Sequence, residues 1–207
     1  MAYIETGVRQ PGIVELLFYK GSSGKAISQL MQTLMKGPSP LSKRERELIA
    51  AHVSALNECE FCDRVHTAVA CQYPNPIEPA PEKAAIPNGK TAPAAPKEQL
   101  SPKMKALLDL AGLVQQGGNY VSQTDIQQAQ FAGASEEEIH DTVLIASAFC
   151  MINRYVDGLG AEKLNDQHAF NRMGEMLAKW GYSYPPKFLR PVIVWVLNRK
   201  WNIRKGA

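Results

Sequence analysis

The chain has 207 residues, of which 45% are hydrophobic and 21% charged, an ordinary globular composition long enough for one medium domain. A net charge of +3 is too small to argue for nucleic acid, and four cysteines are too few for a disulfide scaffold. The opening MAYIETGVRQPG does not resemble a secretory leader, and the longest apolar stretches, 106–114 and 143–152, fall short of the ~20 residues that span a bilayer, so a reducing, cytoplasmic setting is expected.

In chain order the pattern is helical. Ile13 to Tyr19 is a short apolar helix expected to close at Gly21. Lys25 to Lys36 carries Ile27, Leu30, Met31 and Leu34 at helical spacing, with Gly37 as its stop. Ser42 with Glu45 is a capping box for a helix bearing Leu48, Ile49, His52, Val53 and Leu56. Asn57 with Glu60 has the same form and predicts a helix from Glu58 to about Gln72. Residues 74–102 then hold eight of the 14 prolines, which no helix tolerates, and read as an extended linker or an arm around a neighbouring subunit.

The second half restarts at Ser101-Pro102, an N-cap followed by proline in the first helical position. Thr124 opens a helix ending near Gly133, and Ser135 with Glu138 caps a long apolar helix from Ile139 to Val156. A further helix is expected from about Glu162 to Trp180, stopped by Gly181. PVIVWVL (191–197) could be a strand or a short buried helix. The expectation is one all-α domain over 1–207: a helix pair at 42–72, the linker, a second helical half at 103–180, and a basic, apolar tail at 187–207.

The chemistry concentrates in residues 45–70. On a helix beginning after Asn57, Cys59, Cys62 and His66 fall at i, i+3 and i+7 and share one face. Cys59 in the first turn would have its thiolate favoured by the helix dipole, while His66, one turn beyond Cys62, is spaced to take that thiol's proton. Glu47, on the preceding helix, can reach His66 if the two helices form a hairpin. A carboxylate on one ring nitrogen fixes the tautomer of a histidine and raises its basicity.

The pattern Glu47-x11-Cys59-x2-Cys62-x3-His66, with its flanking LSKRERELIAAHVSALNECEFC, resembles the alkyl hydroperoxidase D branch of the carboxymuconolactone decarboxylase-like family. VSQTDIQQAQFAGASEEEIHDTVLIASAFCMINRYVDGLG resembles the two helices that follow in that family. The resemblance implies an alkyl hydroperoxidase D-like helical fold, assembly into dimers, trimers or hexamers, and a peroxide-reducing dithiol cycle. It implies that Cys62 attacks, that Cys59 resolves the sulfenic acid as a Cys59–Cys62 disulfide, and that His66 and Glu47 relay the proton. The dipole argument instead favours Cys59 as the more acidic thiol, so the order of attack stays open. Phe61 stands where the best-studied members of that branch carry a histidine, which points to the broader peroxidase-related subgroup. No resident cofactor or metal is expected, only an external lipoyl- or thioredoxin-type dithiol. The decarboxylase branch lacks the cysteine pair, so its lactone chemistry is not expected.

Other readings accompany this one. Cys59, Cys62 and His66 could hold zinc, although one helical face offers three ligands at most. The pair could also serve as a non-catalytic redox sensor that alters oligomeric state. His52, Phe61 and Asn153 are candidate pocket residues. Cys71 is expected to be a bystander at a helix end and Cys150 a small core residue. From Lys187 on, the tail has six basic residues and no acidic one, suiting a docked helix or contact with an anionic surface.

Overall fold

The computed structural model describes residues 3–5, 12–74, 100–161, 166–193 and 195. The elements are α1 (Ile13–Tyr19), α2 (Gly21–Lys36), α3 (Lys43–Leu56), α4 (Glu60–Ala70), α5 (Pro102–Gln116), α6 (Gln123–Phe131), α7 (Glu136–Gly158) and α8 (Gln167–Trp180), with single 3-10 turns at Gly118–Tyr120 and Lys187–Leu189. The fold is all-α, and no strand occurs among the described residues. Nor is any helix among them long and apolar enough to cross a membrane.

The caps explain most boundaries. Ser42, Ser122 and Ser135 each accept a bond from the backbone N–H three residues on, and Glu45, Asp125 and Glu138 return it. Ser101 caps α5 with proline in the first turn, and Asp166 caps α8. Three expectations change. Gly21 does not close α1; the chain turns at Lys20 and Gly21 begins α2, four residues ahead of the expected start. Ser122 rather than Thr124 sets the start of α6. Asn57 does not cap α4 but ends α3, because Glu58 takes a left-handed conformation (φ 58°) that turns the chain sharply, and α4 starts only at Glu60 with Cys59 as its N-cap. Residues 75–99 of the expected linker, 162–165 before α8, and 194 and 196–207 of the tail lie outside the described residues. Within 191–197, the described residues are helical.

Helix α3 is the centre of the fold, packed against α4, α5 and α7, while α8 lies along α4 and α1 along α2. Ile49, Leu107, Phe149 and Phe170 are among the fully buried side chains that unite both halves in one core. Two arginines of the first α3 turn lock its position. Arg46 donates to the carbonyls of Leu34 and Gly37 (both 2.9 Å) at the end of α2, and Arg44 to that of Ala70 (2.8 Å) at the end of α4. Unpaired carbonyls and the negative dipole end make a helix C-terminus a favourable place for a cation. Residue 47, next in line, is thereby held between α2 and α4. Gly174 brings α8 against α4: a Cβ there would meet the Ala68 carbonyl carbon at 2.7 Å.

Candidate active site

The α3–α4 hairpin brings Glu47 and His66 together. His66 Nδ1 lies 2.7 Å from Glu47 Oε2, with the carboxylate fully buried and the imidazole 6% exposed. A buried carboxylate is tolerated only when its lone pairs are satisfied. Here a third residue completes the set, since the Tyr182 hydroxyl donates to both Glu47 oxygens, at 2.9 and 3.1 Å. The Tyr182 ring stacks on His66, with centroids 6.0 Å apart and planes 14° apart, and the edge of Phe149 closes the other side at 4.6 Å. Burial, reinforced by the Glu47 charge, pushes the Tyr182 phenol far above the usual tyrosine range, so it remains a donor. Nδ1 is thus committed to Glu47, and Nε2 is the nitrogen left for proton exchange.

Both cysteines are free and buried. The neighbouring Cys59 thiol and then burial push the Cys62 thiol well above the usual cysteine range, while the Asn153 amide pulls the other way. Cys62 and His66 line the same cavity of about 410 Å3, whose remaining wall is largely apolar, from Ile13, Leu17, Met31, Phe61, Phe149, Met173 and Trp180. Cys59 is not part of that wall and has no exposed surface.

Of the other sequence candidates, Phe61 lines the cavity and packs 6.1 Å from Phe170. Asn153 is 1% exposed, does not line the cavity and is bonded to Ser54 and Asn57. His52 is not part of the cavity wall and faces Gly112 of α5. Five residues along a helix is a rotation of about 140°, which takes it off the Glu47 face. Cys71 is the exposed C-cap of α4, and half-buried Cys150 lies 3.7 Å from the Asn57 amide. Tyr182 escaped sequence reasoning. It follows α8 and reaches Glu47 across 135 positions, and only Gly181, a helix stop, marks the turn that aims it inward. Among the described residues, no group of three or more His, Cys, Asp or Glu is arranged to hold a metal ion.

An all-helical fold with a paired thiol and a carboxylate-bound histidine on one cavity defines a class, and comparison with known proteins agrees with it. The Carboxymuconolactone decarboxylase family model matches residues 22–73, the span that carries Glu47, Cys59, Cys62 and His66. Among solved structures, an uncharacterized peroxidase-related protein from Silicibacter sp. TM1040 superposes with a TM-score of 0.60 at 22% identity, covering 76% of this chain and 78% of that one. An alkylhydroperoxidase AhpD core, an uncharacterized peroxidase-related protein from Ralstonia eutropha JMP134, gives 0.61 at 26% identity, covering 79% and 80%. No curated protein matches the sequence. Over residues 22–73 the chain is thus similar to the Carboxymuconolactone decarboxylase family, and its all-helical fold is similar to that of the alkylhydroperoxidase AhpD core.

Proposed function

We propose that this protein is a dithiol peroxidase that reduces apolar organic hydroperoxides at Cys62. The observation that carries this reading is the shared cavity: Cys62 and His66 open on one apolar chamber, while Cys59 is wholly buried off its wall. An attacking thiol that faces the cavity, with its resolving partner buried off the cavity wall, suits a two-step cycle, so Cys62 attacks first.

The cycle balances as follows. The Cys62 proton passes to His66 Nε2, directly or through a water, and Glu47 and Tyr182 stabilise the imidazolium that forms. The thiolate attacks the terminal oxygen of the hydroperoxide and the O–O bond breaks. The alkoxide takes the proton from His66 and leaves as an alcohol, and Cys62 becomes a sulfenic acid. Cys59 attacks the Cys62 sulfur, the S–O bond breaks, and hydroxide leaves as water with the Cys59 proton. The resulting Cys59–Cys62 disulfide is reduced by exchange with an external dithiol of lipoyl or thioredoxin type, in a reducing compartment. The high Cys62 thiol pKa is consistent with this need for a base. Leu144 and Met151, exposed apolar side chains seven residues apart on α7, are a surface that a homo-oligomer would cover.

The test is a mass measurement after one equivalent of cumene hydroperoxide. Loss of two hydrogens mapped to the peptide spanning 59–62 is the expected result, and Cys62→Ser should abolish both that loss and dithiol-dependent turnover. Turnover should favour cumene hydroperoxide over hydrogen peroxide, which cannot fill an apolar chamber. Undiminished turnover in Cys62→Ser would overturn the reading.

A further inference from the structure

The cavity has a rim that continues it outward. Trp180 lines the cavity and is nonetheless 70% exposed, so it stands at the mouth. The chain then passes through Tyr182, Tyr184 and Pro185, all on the cavity wall, into the 3-10 turn at Lys187–Leu189, which runs on as helix to Ile193, again on the wall. Between those wall residues, Phe188 is 76% exposed, Val192 55% and Leu189 41%. Spaced i, i+1 and i+4, the three share one side of the segment. Arg190 holds the segment in place. Its Nε donates to the Pro185 carbonyl at 3.3 Å, and its guanidinium lies over the rings of Tyr184 and Phe18, 4.4 and 5.5 Å from their centroids.

Large apolar side chains are often exposed singly, but side by side at the mouth of an apolar chamber they mark a contact surface. Charge indicates what covers it. From Met176 to the end the chain has seven basic residues and no acidic one, whereas residues 1–175 carry 16 basic and 20 acidic. Lys179 and Lys187, both exposed, put that charge next to Trp180 and Phe188. All three tryptophans, Trp180, Trp195 and Trp201, fall in the same stretch. Cations interleaved with Trp, Phe and Leu suit an interfacial membrane contact, with aromatic rings at the headgroup level and lysines against lipid phosphates. A second copy suits the face less well, because a two-fold contact would set the face against itself and oppose like charges.

We infer that the cavity mouth, with Trp180, Phe188, Leu189 and Val192 as its apolar edge and Lys179 and Lys187 as its cations, docks on the surface of an anionic phospholipid bilayer. The contact is peripheral, since no helix among the described residues is long and apolar enough to cross a membrane. Docking in this orientation turns the opening of the chamber toward the acyl region, so an apolar molecule can pass from the bilayer to Cys62 without crossing water. The inference rests on the proposed peroxidase only for the identity of that molecule, a lipid hydroperoxide.

The test is co-flotation of the full chain with unoxidised vesicles, and it needs no peroxide. Binding to phosphatidylcholine and phosphatidylglycerol in equal parts should exceed binding to phosphatidylcholine alone by about tenfold or more. Tryptophan emission, which arises only from this stretch, should shift to shorter wavelength on binding. Raising the salt from about 0.1 M to about 1 M, which shortens the screening length from ~10 to ~3 Å, should release the protein. Lys179→Glu with Lys187→Glu should weaken binding about tenfold or more. Phe188→Ser with Val192→Ser, which leaves the charge and the cavity wall intact, should also weaken it and reduce the emission shift. Phe131→Ser on α6, more exposed than any residue of the rim, is the control and should bind as the parent does. Equal binding to both vesicles, or parental binding by either double variant, overturns the inference. So does a parent that ignores vesicles but forms a dimer in light scattering that the Phe188 and Val192 changes dissociate, since the rim would then be covered by a second copy. The expected binding in a protein that turns over no hydroperoxide would keep the docking surface while removing the proposed activity.

Discussion

Glu47 and His66 approach to 2.7 Å across a helical hairpin, 19 positions apart in sequence, with the carboxylate wholly excluded from water. Glu47→Gln preserves volume but removes the charge that would stabilise a protonated imidazole, and an amide can present a hydrogen to Nδ1 in place of accepting one. Turnover should fall by about 10²-fold, the lower end of general-base contributions, with the thermal midpoint little changed. Glu47→Ala leaves both His66 and Tyr182 without their buried partner and should cost about 1–3 kcal/mol in addition. Steady-state rates paired with thermal unfolding separate the two effects.

Tyr182 shares that carboxylate, so Tyr182→Phe removes one donor and nothing else from the cavity wall. A hydrogen bond to a charged acceptor contributes about 1.5–3 kcal/mol. If part of it orients Glu47 toward His66, turnover should fall roughly tenfold, with KM for a bulky hydroperoxide nearly constant. A lowered thermal midpoint with an unchanged rate would assign Tyr182 a structural role only.

How far the sequence revealed this site follows from the range of each interaction. Cys62 and His66 share one short helix, so helical spacing alone placed them on one cavity, whereas Cys59, expected in the first turn on the same face, is the N-cap and lies off the cavity wall. Glu47 needed a turn between α3 and α4. The turn was legible near Asn57, but its form was not: an Asn-x-x-Glu signature imitates a capping box, and the left-handed Glu58 overrides it. Asn57 is drawn instead to Asn153, a partner 96 positions away that no local pattern announces. The helices themselves were legible because serine caps and acidic third residues are local chemistry, as at Ser42 and Ser135. Tyr182 and the cavity were not, because they depend on how α1 and the segment after α8 fold over α4.

Folding stability should decline on the alkaline side. Cys62 and Tyr182 both have their ionisation pushed well above the usual cysteine and tyrosine ranges. An acid whose folded pKa is raised binds its proton more tightly in the native state, so the unfolded chain releases protons first. Stability is then full below the unfolded pKa and is lost as pH climbs from there toward the folded pKa. The urea midpoint should therefore hold from pH 7 to about 8.5 and fall above it. Cys62→Ser should remove the first part of the decline and Tyr182→Phe the part beginning near pH 10. A midpoint flat to pH 11 in the parent protein would contradict both shifts.

The crossing of α8 over α4 links stability to the site most directly. A methyl group at position 174 would meet the carbonyl carbon, oxygen and Cβ of Ala68 at 2.7–2.8 Å, well inside van der Waals contact. Two of those three atoms are backbone, so no rotamer change relieves the overlap and one helix must move. Overpacking typically costs about 1–3 kcal/mol, and a backbone clash belongs at the upper end, so Gly174→Ala should lower the thermal midpoint by roughly 5–10 °C. Because Met173 and Trp180 of the same helix line the cavity and Tyr182 follows it, displacement of α8 should also loosen the Tyr182 contact with Glu47. The expected signature is a combined loss, with lower midpoint, lower kcat and higher KM for bulky hydroperoxides together. Gly112, where a Cβ would meet only the side chains of Leu56 and His52 at 3.5 and 3.8 Å, is the control: Gly112→Ala should leave all three nearly unchanged. Equal effects at both positions would show that the α4–α8 approach is not what holds the site.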